Sequence, residues 1–363
     1  MLSVGIQALA VHLPEGLRTN SWWNEETTQN NDNNELAYRH NSRYQFYDEA
    51  MAPYLADPFL GSIERRVVVD PNESSVSLGM KAATDVLQAA AISASEIDGL
   101  IATTMFADRV GIGDAGYLAN ELGIRGGAFN VEATCAGSMA ALLTACALVK
   151  SGQKNRVLVV ATAFFSRAID DDDIALRFYG DASAAFIVGP VEDGFGLLGS
   201  DSLHLGSTCG TWLLDTVEDK HFPLKQRIRV RADASVTHVL RKTSESHLRY
   251  TVDGALRKAE LTVDDVQCVA ANAPTAWHAE FSANALGIDK EKVINTFPST
   301  AYTGPVVMPF NLYTAVVQQR IEPGEIIMLY AYGAHSEASA AVFRWPNVIT
   351  GTPPAPASVI NHK

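Results

Sequence analysis

Residues 130–150, NVEATCAGSMAALLTACALVK, predict a short strand that runs into a helix, with Cys135 at the junction. Apolar residues occupy every face of residues 139–149, which is the pattern of a helix buried inside a domain. The unpaired N–H groups and positive dipole end of a helix favour a thiolate, so Cys135 is a candidate nucleophile at neutral pH. The alternative is a small core residue, because free cysteine is among the most buried residue types.

Six segments, in chain order, carry a resemblance to one enzyme family. They are HLPEGLRTN (12–20), IERRVV (63–68), LIATTM (100–105), AFNVEATCAGSMAAL (128–142), RFYGDASAAFIVG (177–189) and YAYGAHSEASAAVFRW (330–345). Together they resemble the ketoacyl synthase III family, condensing enzymes of the thiolase superfamily, over nearly the whole chain. The resemblance implies an α/β thiolase fold, in which two pseudo-repeated halves form a layered α-β-α-β-α sandwich. It also implies that Cys135 is the nucleophile.

The two halves can also be recognised in the sequence itself. Leu100 in ISASEIDGLIATT corresponds to Val269 in LTVDDVQCVAANA, 169 residues later, and RVLVVATA (156–163) parallels EIIMLYAY (325–332). Near-continuous apolar strands that alternate with helices predict parallel-rich sheets covered by helices. We expect a nucleophile-bearing half at residues 1–190 with an atypical insertion at 22–60, a second half at 191–348 and a tail at 349–363.

Composition excludes several classes of partner. The formal charge of −13 and the pI near 5.1 argue against nucleic acid and anionic membrane surfaces. The four cysteines are widely separated and form no metal-ligand pattern, which indicates reduced thiols and no metal site. We expect no bound cofactor, with a coenzyme A or carrier-protein thioester as the substrate. No apolar run approaches transmembrane length, and we expect a cytoplasmic protein.

The chain departs from the resembled family at the partners of its cysteine. The family completes its site with a His in an HQAN motif and an Asn in a GNT motif, which stabilise the enolate left when malonyl carrier protein loses carbon dioxide. Here the corresponding residues are Asn272-Ala-Pro-Thr and Ala-Tyr302-Thr. The usual decarboxylating pair is therefore absent. Tyr302, expected at the position equivalent to Cys135 in the second half, either donates its phenol hydrogen to the acyl carbonyl or fills the pocket.

A histidine, His335, stands in the turn AYGAHSEAS, where the family has a glycine-rich turn that approaches the nucleophile. It is a candidate base for Cys135 or for an acceptor alcohol, with Glu337 orienting its ring. The alternative is a turn residue whose ring packs elsewhere. His278 is a second candidate, although we expect it to face solvent or the helix packing.

The segment at residues 22–60 is polar, rich in Asn and aromatic, and is either a surface insertion or a lid over the substrate tunnel. Phe59 stands where the family has an Arg that clamps coenzyme A, which favours a carrier protein as the acyl donor. We expect this segment and residues 207–230 to determine the tunnel lining.

A cysteine without the decarboxylating pair suits acyl transfer better than carbon–carbon bond formation. The resemblance implies an acyltransferase that moves an acyl group from a carrier-protein or coenzyme A thioester to an alcohol or amine acceptor, in polyketide-type natural-product biosynthesis, and a homodimer. One alternative is a decarboxylating condensing enzyme with Asn272, Tyr302 and His335 as substitute donors. Another is a non-catalytic partner subunit, although a scaffold has no use for a thiolate at a helix start.

Overall fold

The computed structural model describes residues 2–22, 42–57, 60, 63–109, 111–170, 173–218, 226–233 and 235–360. Three features singled out in the sequence lie outside these residues: Trp23, the Asn-rich run at 30–34 and Phe59. No helix in the described part of the chain is long and apolar enough to cross a membrane.

The regular elements alternate along the chain in the order that the sequence predicts. The strands are β1 (Val4–His12), β2 (Gly16–Arg18), β3 (Arg65–Val67), β4 (Gly99–Met105), β5 (Gly127–Asn130), β6 (Val157–Ala163), β7 (Ala182–Pro190), β8 (Gly196–His204), β9 (Trp212–Glu218), β10 (Gln226–Ala232), β11 (Val266–Ala271), β12 (Ile326–Tyr332), β13 (Glu337–Arg344), β14 (Ile349–Thr350) and β15 (Ser358–Val359). The α-helices are α1 (Gln45–Ala56), α2 (Ser75–Ala89), α3 (Ala115–Leu122), α4 (Gly137–Lys150), α5 (Val236–Ala259), α6 (His278–Leu286), α7 (Phe297–Thr300) and α8 (Val307–Val317).

Two sheets form the framework of the molecule. The first has the order β14-β1-β7-β6-β4-β5, and the second has the order β11-β12-β13-β8. In the first sheet β5, β4 and β6 run parallel, as predicted, while β7 runs antiparallel to both of its neighbours. The second sheet has a single parallel pair, β11 with β12, because the short turn after β12 sends β13 back along it. The prediction of parallel-rich sheets is therefore right for the first half and wrong for the second.

Helices cover both faces of both sheets. Helix α2 packs on β1, β6 and β7, and α5 packs on β8 and β13. Helix α4 packs on β4, β6 and β7, and α8 packs on β11 and β12, while both helices also contact the opposite sheet. The order of layers is thus helix, sheet, helix pair, sheet, helix, which is the predicted sandwich. Every residue of β6 is buried, as expected of a strand covered on both faces.

Helix α1 shows that part of the segment at 22–60 belongs to the packed fold. The carboxylate of Asp48 is 1% exposed and accepts two hydrogen bonds from the Arg241 guanidinium on α5, at 2.7 and 2.6 Å. The ring of Tyr47 packs edge-on against Trp277, with the ring centroids 4.7 Å apart. A bidentate, buried ion pair of this kind fixes both partners in one geometry, so α1 is anchored to the second half.

Candidate active site

Cys135 lies in a 3-10 turn, Thr134–Ala136, that leads directly into α4. Thr134 has a φ of 47°, in the left-handed region that β-branched residues rarely adopt. Its hydroxyl donates a hydrogen bond to the Ala334 carbonyl at 2.9 Å, which ties the turn to the second half. The half-buried Cys135 sulfur therefore lies at the start of a buried helix, at the predicted position.

The ionisation of Cys135 differs from the expectation. Burial raises the pKa of its thiol to about 11, although hydrogen bonds from the Tyr302 phenol and from its own backbone N–H lower that pKa. Removing the sulfur from water thus outweighs both hydrogen bonds. With this pKa Cys135 is a thiol near pH 7, so the prediction of a thiolate at neutral pH is wrong, and the thiol has to lose its proton as it reacts.

Asn272 directly follows β11 and is fully buried. Its Nδ2 donates hydrogen bonds to the backbone carbonyls of Cys135 at 2.6 Å and Gly304 at 3.2 Å. Its Oδ1 is buried and has no hydrogen-bond partner. Turning the amide over would aim Oδ1 at the two carbonyl oxygens, so the bonds fix its orientation. The N–H groups of the amide are therefore engaged within the protein, and a hydrogen bond of this amide with the Tyr302 phenol lowers the pKa of Tyr302.

The phenol group of Tyr302 forms a hydrogen bond with the sulfur of Cys135. Burial raises the pKa of Tyr302 well above its usual value, and the charge of Cys135 and this hydrogen bond raise it further. The position expected for Tyr302 is incorrect. The 3-10 turn Gly304–Val306 before α8 corresponds to the cysteine turn before α4, so the counterpart of Cys135 is Pro305. Tyr302 lies three residues earlier and is held by a backbone bridge to Tyr179.

The turn between β12 and β13 contacts the cysteine turn, as the sequence predicts. Gly333 has no Cβ, and one would overlap the Ala133 carbonyl and the Ala136 backbone nitrogen. The Gly333 N–H is used by the Glu337 carbonyl at 2.8 Å. The neighbouring Ala334 N–H has no acceptor among the described residues. Ala334 is therefore the residue of this turn that can donate to a carbonyl oxygen of a bound substrate.

The ring of His335 lines the same cavity as Cys135, but no hydrogen bond joins the two in the described structure. The backbone N–H of Trp212 donates to His335 Nε2 at 3.2 Å. In the neutral ring this places the proton on Nδ1 and occupies the lone pair of Nε2. The φ of His335 is 69°, and its own N–H donates to the Thr208 hydroxyl at 2.7 Å, so the left-handed backbone is locked.

Two further predictions concern side chains near this histidine. The carboxylate of Glu337 accepts a hydrogen bond from the Ser339 hydroxyl at 3.4 Å, and no bond links it to His335. His278 is buried rather than exposed, with its Nδ1 3.2 Å from the Ser282 hydroxyl, and it also lines the cavity that contains Cys135 and His335. Burial lowers the pKa of His278 to about 4, so it is neutral near pH 7.

A cavity of about 800 Å³ leads to Cys135 and is lined mainly by apolar and aromatic side chains. Its walls come from the cysteine turn, α1, α5 and the β9–β10 ribbon. Helix α1 belongs to the segment at 22–60 and the ribbon overlaps residues 207–230, so both segments expected to determine the lining contribute to it. Six further lining residues have no signal in the sequence that marks them as part of a site: Tyr47, Glu132, Phe165, Trp212, Val230 and Trp277. Among the described residues, no cluster of His, Cys, Asp or Glu side chains could hold a metal ion.

Comparisons with known proteins agree with this geometry. The 3-oxoacyl-[acyl-carrier-protein] synthase III model matches residues 129–206, and the model of its C-terminal part matches residues 256–345. A beta-ketoacyl-[acyl-carrier-protein] synthase III from Jannaschia sp. (strain CCS1) is 31% identical over 297 residues, covering 78% of this chain and 87% of the relative.

Solved structures of ketoacyl synthases have the same fold as this chain. The crystal structure of beta-ketoacyl-[acyl carrier protein] synthase III from Thermus thermophilus has a TM-score of 0.75 at 25% identity, covering 94% of this chain and 99% of that chain. The priming beta-ketosynthase of the R1128 polyketide pathway has a TM-score of 0.73 at 21% identity, covering 95% of this chain and 97% of that one, and this likeness shows the fold alone. The chain belongs to the ketoacyl synthase III family, thiolase-fold enzymes that transfer or condense acyl groups.

Proposed function

We propose that the protein is an acyltransferase, in which Cys135 takes an acyl group from a coenzyme A or carrier-protein thioester and passes it to an alcohol or amine. The observation that carries the proposal is the orientation of the Asn272 amide. Both of its N–H groups are held by backbone carbonyls, and its unpaired Oδ1 faces away from them. Its N–H groups are thus engaged within the protein, and Asn272 does not line the cavity, so it has no free donor with which to stabilise an enolate oxygen, which disfavours decarboxylation.

The first half-reaction loads the cysteine. The Cys135 sulfur attacks the thioester carbonyl, the carbon–sulfur bond of the donor breaks, and the departing thiolate takes the proton of the Cys135 thiol. The N–H groups of Cys135 and Ala334 are the proposed donors to the oxyanion. The Tyr302 phenol hydrogen-bonds the sulfur and stabilises its negative charge as the proton leaves.

The second half-reaction moves the acyl group to the acceptor. The predicted role of His335 as the base in this step stays a prediction. Its Nε2 would have to exchange the Trp212 N–H for the hydrogen of the acceptor, which is feasible only if the β9–β10 ribbon shifts. A place in polyketide-type natural-product biosynthesis is part of the proposal, and the loss of the usual His and Asn supports it.

The loading step is tested by intact-mass spectrometry after incubation with acetyl-, octanoyl- and malonyl-coenzyme A and with the matching carrier-protein thioesters. We expect an acyl adduct on the parent protein and none on Cys135→Ala. Cys209→Ala removes an exposed cysteine outside the cavity lining and is the matched control, which should keep the adduct. If no donor leaves an adduct, the proposal fails and a non-catalytic partner subunit becomes the better explanation.

Release of carbon dioxide distinguishes condensation, which decarboxylates malonyl carrier protein, from acyl transfer, which does not. With malonyl carrier protein and an acylated enzyme, we expect no release of carbon dioxide above the Cys135→Ala background. Release that depends on Cys135 and yields a 3-oxoacyl product would show that Asn272 and Tyr302 serve as substitute donors, and it would overturn the transferase proposal.

The homodimer is also a proposal, and the edge of the first sheet supports it. Strand β5 ends that sheet, and Phe129 on β5 and Tyr117 on α3 are 43% and 38% exposed. An apolar, unpaired edge strand is a ready site for pairing with a second copy. Light scattering after size exclusion should give a dimer for the parent protein and a monomer for Phe129→Arg. A monomeric parent would contradict this.

A further inference from the structure

The buried part of the cavity lining is mainly aromatic. Among the described residues, the aliphatic side chains that both line the cavity and are buried are Val230 and Ala334. The other aliphatic lining residues are half-buried or exposed, with Ile112 and Leu214 67% and 63% exposed. The depth of the cavity is therefore built mainly from rings. Those buried lining residues with phenyl, phenol or indole rings are Tyr47, Phe165, Tyr179, Trp277, Tyr302 and Tyr330.

Three of these rings lie beside the nucleophile. The Tyr302 phenol forms a hydrogen bond with the Cys135 sulfur, and the charge of Cys135 also acts on the Tyr179 phenol. The ring of Phe165 stacks on Tyr179 with the centroids 4.4 Å apart and lies 6.1 Å from the Tyr302 centroid. The centroids of Tyr179 and Tyr302 are 5.8 Å apart. An acyl group bonded to this sulfur therefore extends into a space bordered by the three rings.

The backbone fixes these rings in place. A parallel bridge joins Tyr179 to Tyr302. The Ser166 N–H, directly after Phe165, donates a hydrogen bond to the buried Asp181 carboxylate at 2.9 Å. Burial raises the pKa of both phenols, so they are uncharged at neutral pH. A rigid, uncharged pocket favours a planar ligand, because such a ligand loses fewer torsional freedoms than a flexible chain when it binds.

We propose that the acyl group carried by Cys135 is aromatic, with its ring held among Phe165, Tyr179 and Tyr302. The proposal rests on the proposed loading of Cys135 and names the class of acyl group that is loaded. Aromatic rings form offset-stacked and edge-to-face contacts with one another, and these contacts add to the gain from burial. The ring planes differ by 29° between Phe165 and Tyr179 and by 58° between Tyr179 and Tyr302, so a bound ring meets both faces and edges. A saturated group of the same size gains from burial alone.

The first test measures binding and does not depend on acylation. The probes are 2-phenylacetamide and 2-cyclohexylacetamide, uncharged amides that differ in whether the six-membered ring is aromatic. Each is titrated for protection of Cys135 against iodoacetamide at pH 9, with peptide mass spectrometry as the readout. The saturated ring has the larger apolar surface, so burial alone favours 2-cyclohexylacetamide. We expect the reverse order, with 2-phenylacetamide protecting at a concentration at least threefold lower.

The variant Phe165→Leu removes one of the three rings and keeps an apolar side chain. It should lower the preference for the aromatic probe at least twofold, and because the preference is a ratio measured on one protein, a general loosening of the fold affects both probes. The matched control is Tyr250→Leu, which removes an exposed ring on α5 outside the cavity lining and should keep the parent ratio. The proposal is overturned if 2-cyclohexylacetamide protects the parent protein equally or better, if neither probe protects it, or if Phe165→Leu keeps the parent ratio.

The second test measures loading. Phenylacetyl, cyclohexylacetyl and octanoyl groups are offered as thioesters of coenzyme A and of N-acetylcysteamine, and the rate of adduct formation on Cys135 is followed by intact-mass spectrometry. Each acyl group has the same number of carbons and a methylene beside the carbonyl, so the three carbonyls are similar in reactivity. We expect phenylacetyl to load at least tenfold faster than either saturated group. Equal or faster loading of a saturated group would overturn the aromatic assignment and leave acyl transfer standing. Failure of every donor to load Cys135 would instead overturn acyl transfer and with it this proposal.

Discussion

The two halves of the molecule share one backbone conformation, a left-handed residue that opens a 3-10 turn before a buried helix, but they differ in the side chain that follows it. In the first half, Thr134 with a φ of 47° opens the 3-10 turn before α4, and in the second half Gly304 with a φ of 54° opens the 3-10 turn before α8. The next residue is Cys135 in one half and Pro305 in the other. A left-handed residue before a buried helix is therefore a property of the fold. The halves differ in the side chain that follows, which is a thiol in the first half and a proline ring in the second.

The largest effect is expected where the two halves touch through their backbones. Gly333→Ala would push a Cβ into backbone atoms of the cysteine turn. Overpacking of this kind costs about 1–3 kcal/mol, and because it separates the Ala334 N–H from Cys135, acyl loading should slow as well. Urea unfolding and the rate of adduct formation measure the two effects.

Gly116→Ala is the matched control, because a Cβ at that helical position meets nothing within 4 Å. It should stabilise the protein by about 0.5–1 kcal/mol, since alanine is the better helix former. If Gly333→Ala unfolds at the same urea concentration as Gly116→Ala, the close contact between the halves does not exist in solution.

Two buried asparagines allow a comparison of a hydrogen bond between the two halves with hydrogen bonds inside the second half. Asn272 and Asn311 are both fully buried and both use their amides on backbone carbonyls, but Asn272 reaches the Cys135 carbonyl whereas Asn311 bonds within the second half. Replacing either with Ala should cost about 1–3 kcal/mol, because a buried carbonyl loses its donor.

Only Asn272→Ala should also change the rate at which iodoacetamide alkylates Cys135, measured by peptide mass spectrometry under native conditions. An equal change in Asn311→Ala would show that alkylation follows general loosening of the second half, and that the contact at Cys135 has no special effect.

The smallest effect tests the phenol that the second half supplies. The hydrogen bond from Tyr302 lowers the pKa of Cys135, so Tyr302→Phe should raise that pKa above its value of about 11. Below this pKa the thiolate fraction falls tenfold for each unit of increase. Alkylation of Cys135 at pH 9 should therefore slow several-fold in Tyr302→Phe.

Tyr179→Phe removes a buried phenol that feels the charge of Cys135 but shares no hydrogen bond with it. It should leave the alkylation profile within twofold of the parent. Unchanged alkylation in Tyr302→Phe would mean that the phenol points away from the sulfur.

The sequence was informative wherever the determining residues are neighbours in the chain. The apolar run of α4 and the cysteine turn are local patterns, and both predict what the structure shows. The site depends on distant pairs. His335 is held by Trp212, 123 residues away, and Asp48 is held by Arg241, 193 residues away, so no local pattern reveals how His335 is oriented or that α1 forms a wall of the cavity.

The protonation state of Cys135 was the other feature that could not be predicted from the sequence. A helix start after a short strand correctly located Cys135, but its pKa depends on how completely the surrounding layers exclude water.

The strands after β13 carry a consequence for how the chain folds during synthesis. Strand β14 pairs with Ala8 and Leu9 of β1, and β15 pairs with β2. The outer edge of β1 therefore stays uncovered until residues 349–350 leave the ribosome. An unpaired apolar edge is a template for aggregation. A nascent chain of this protein should thus depend on chaperones through almost its entire translation, and truncation before residue 349 should yield inclusion bodies.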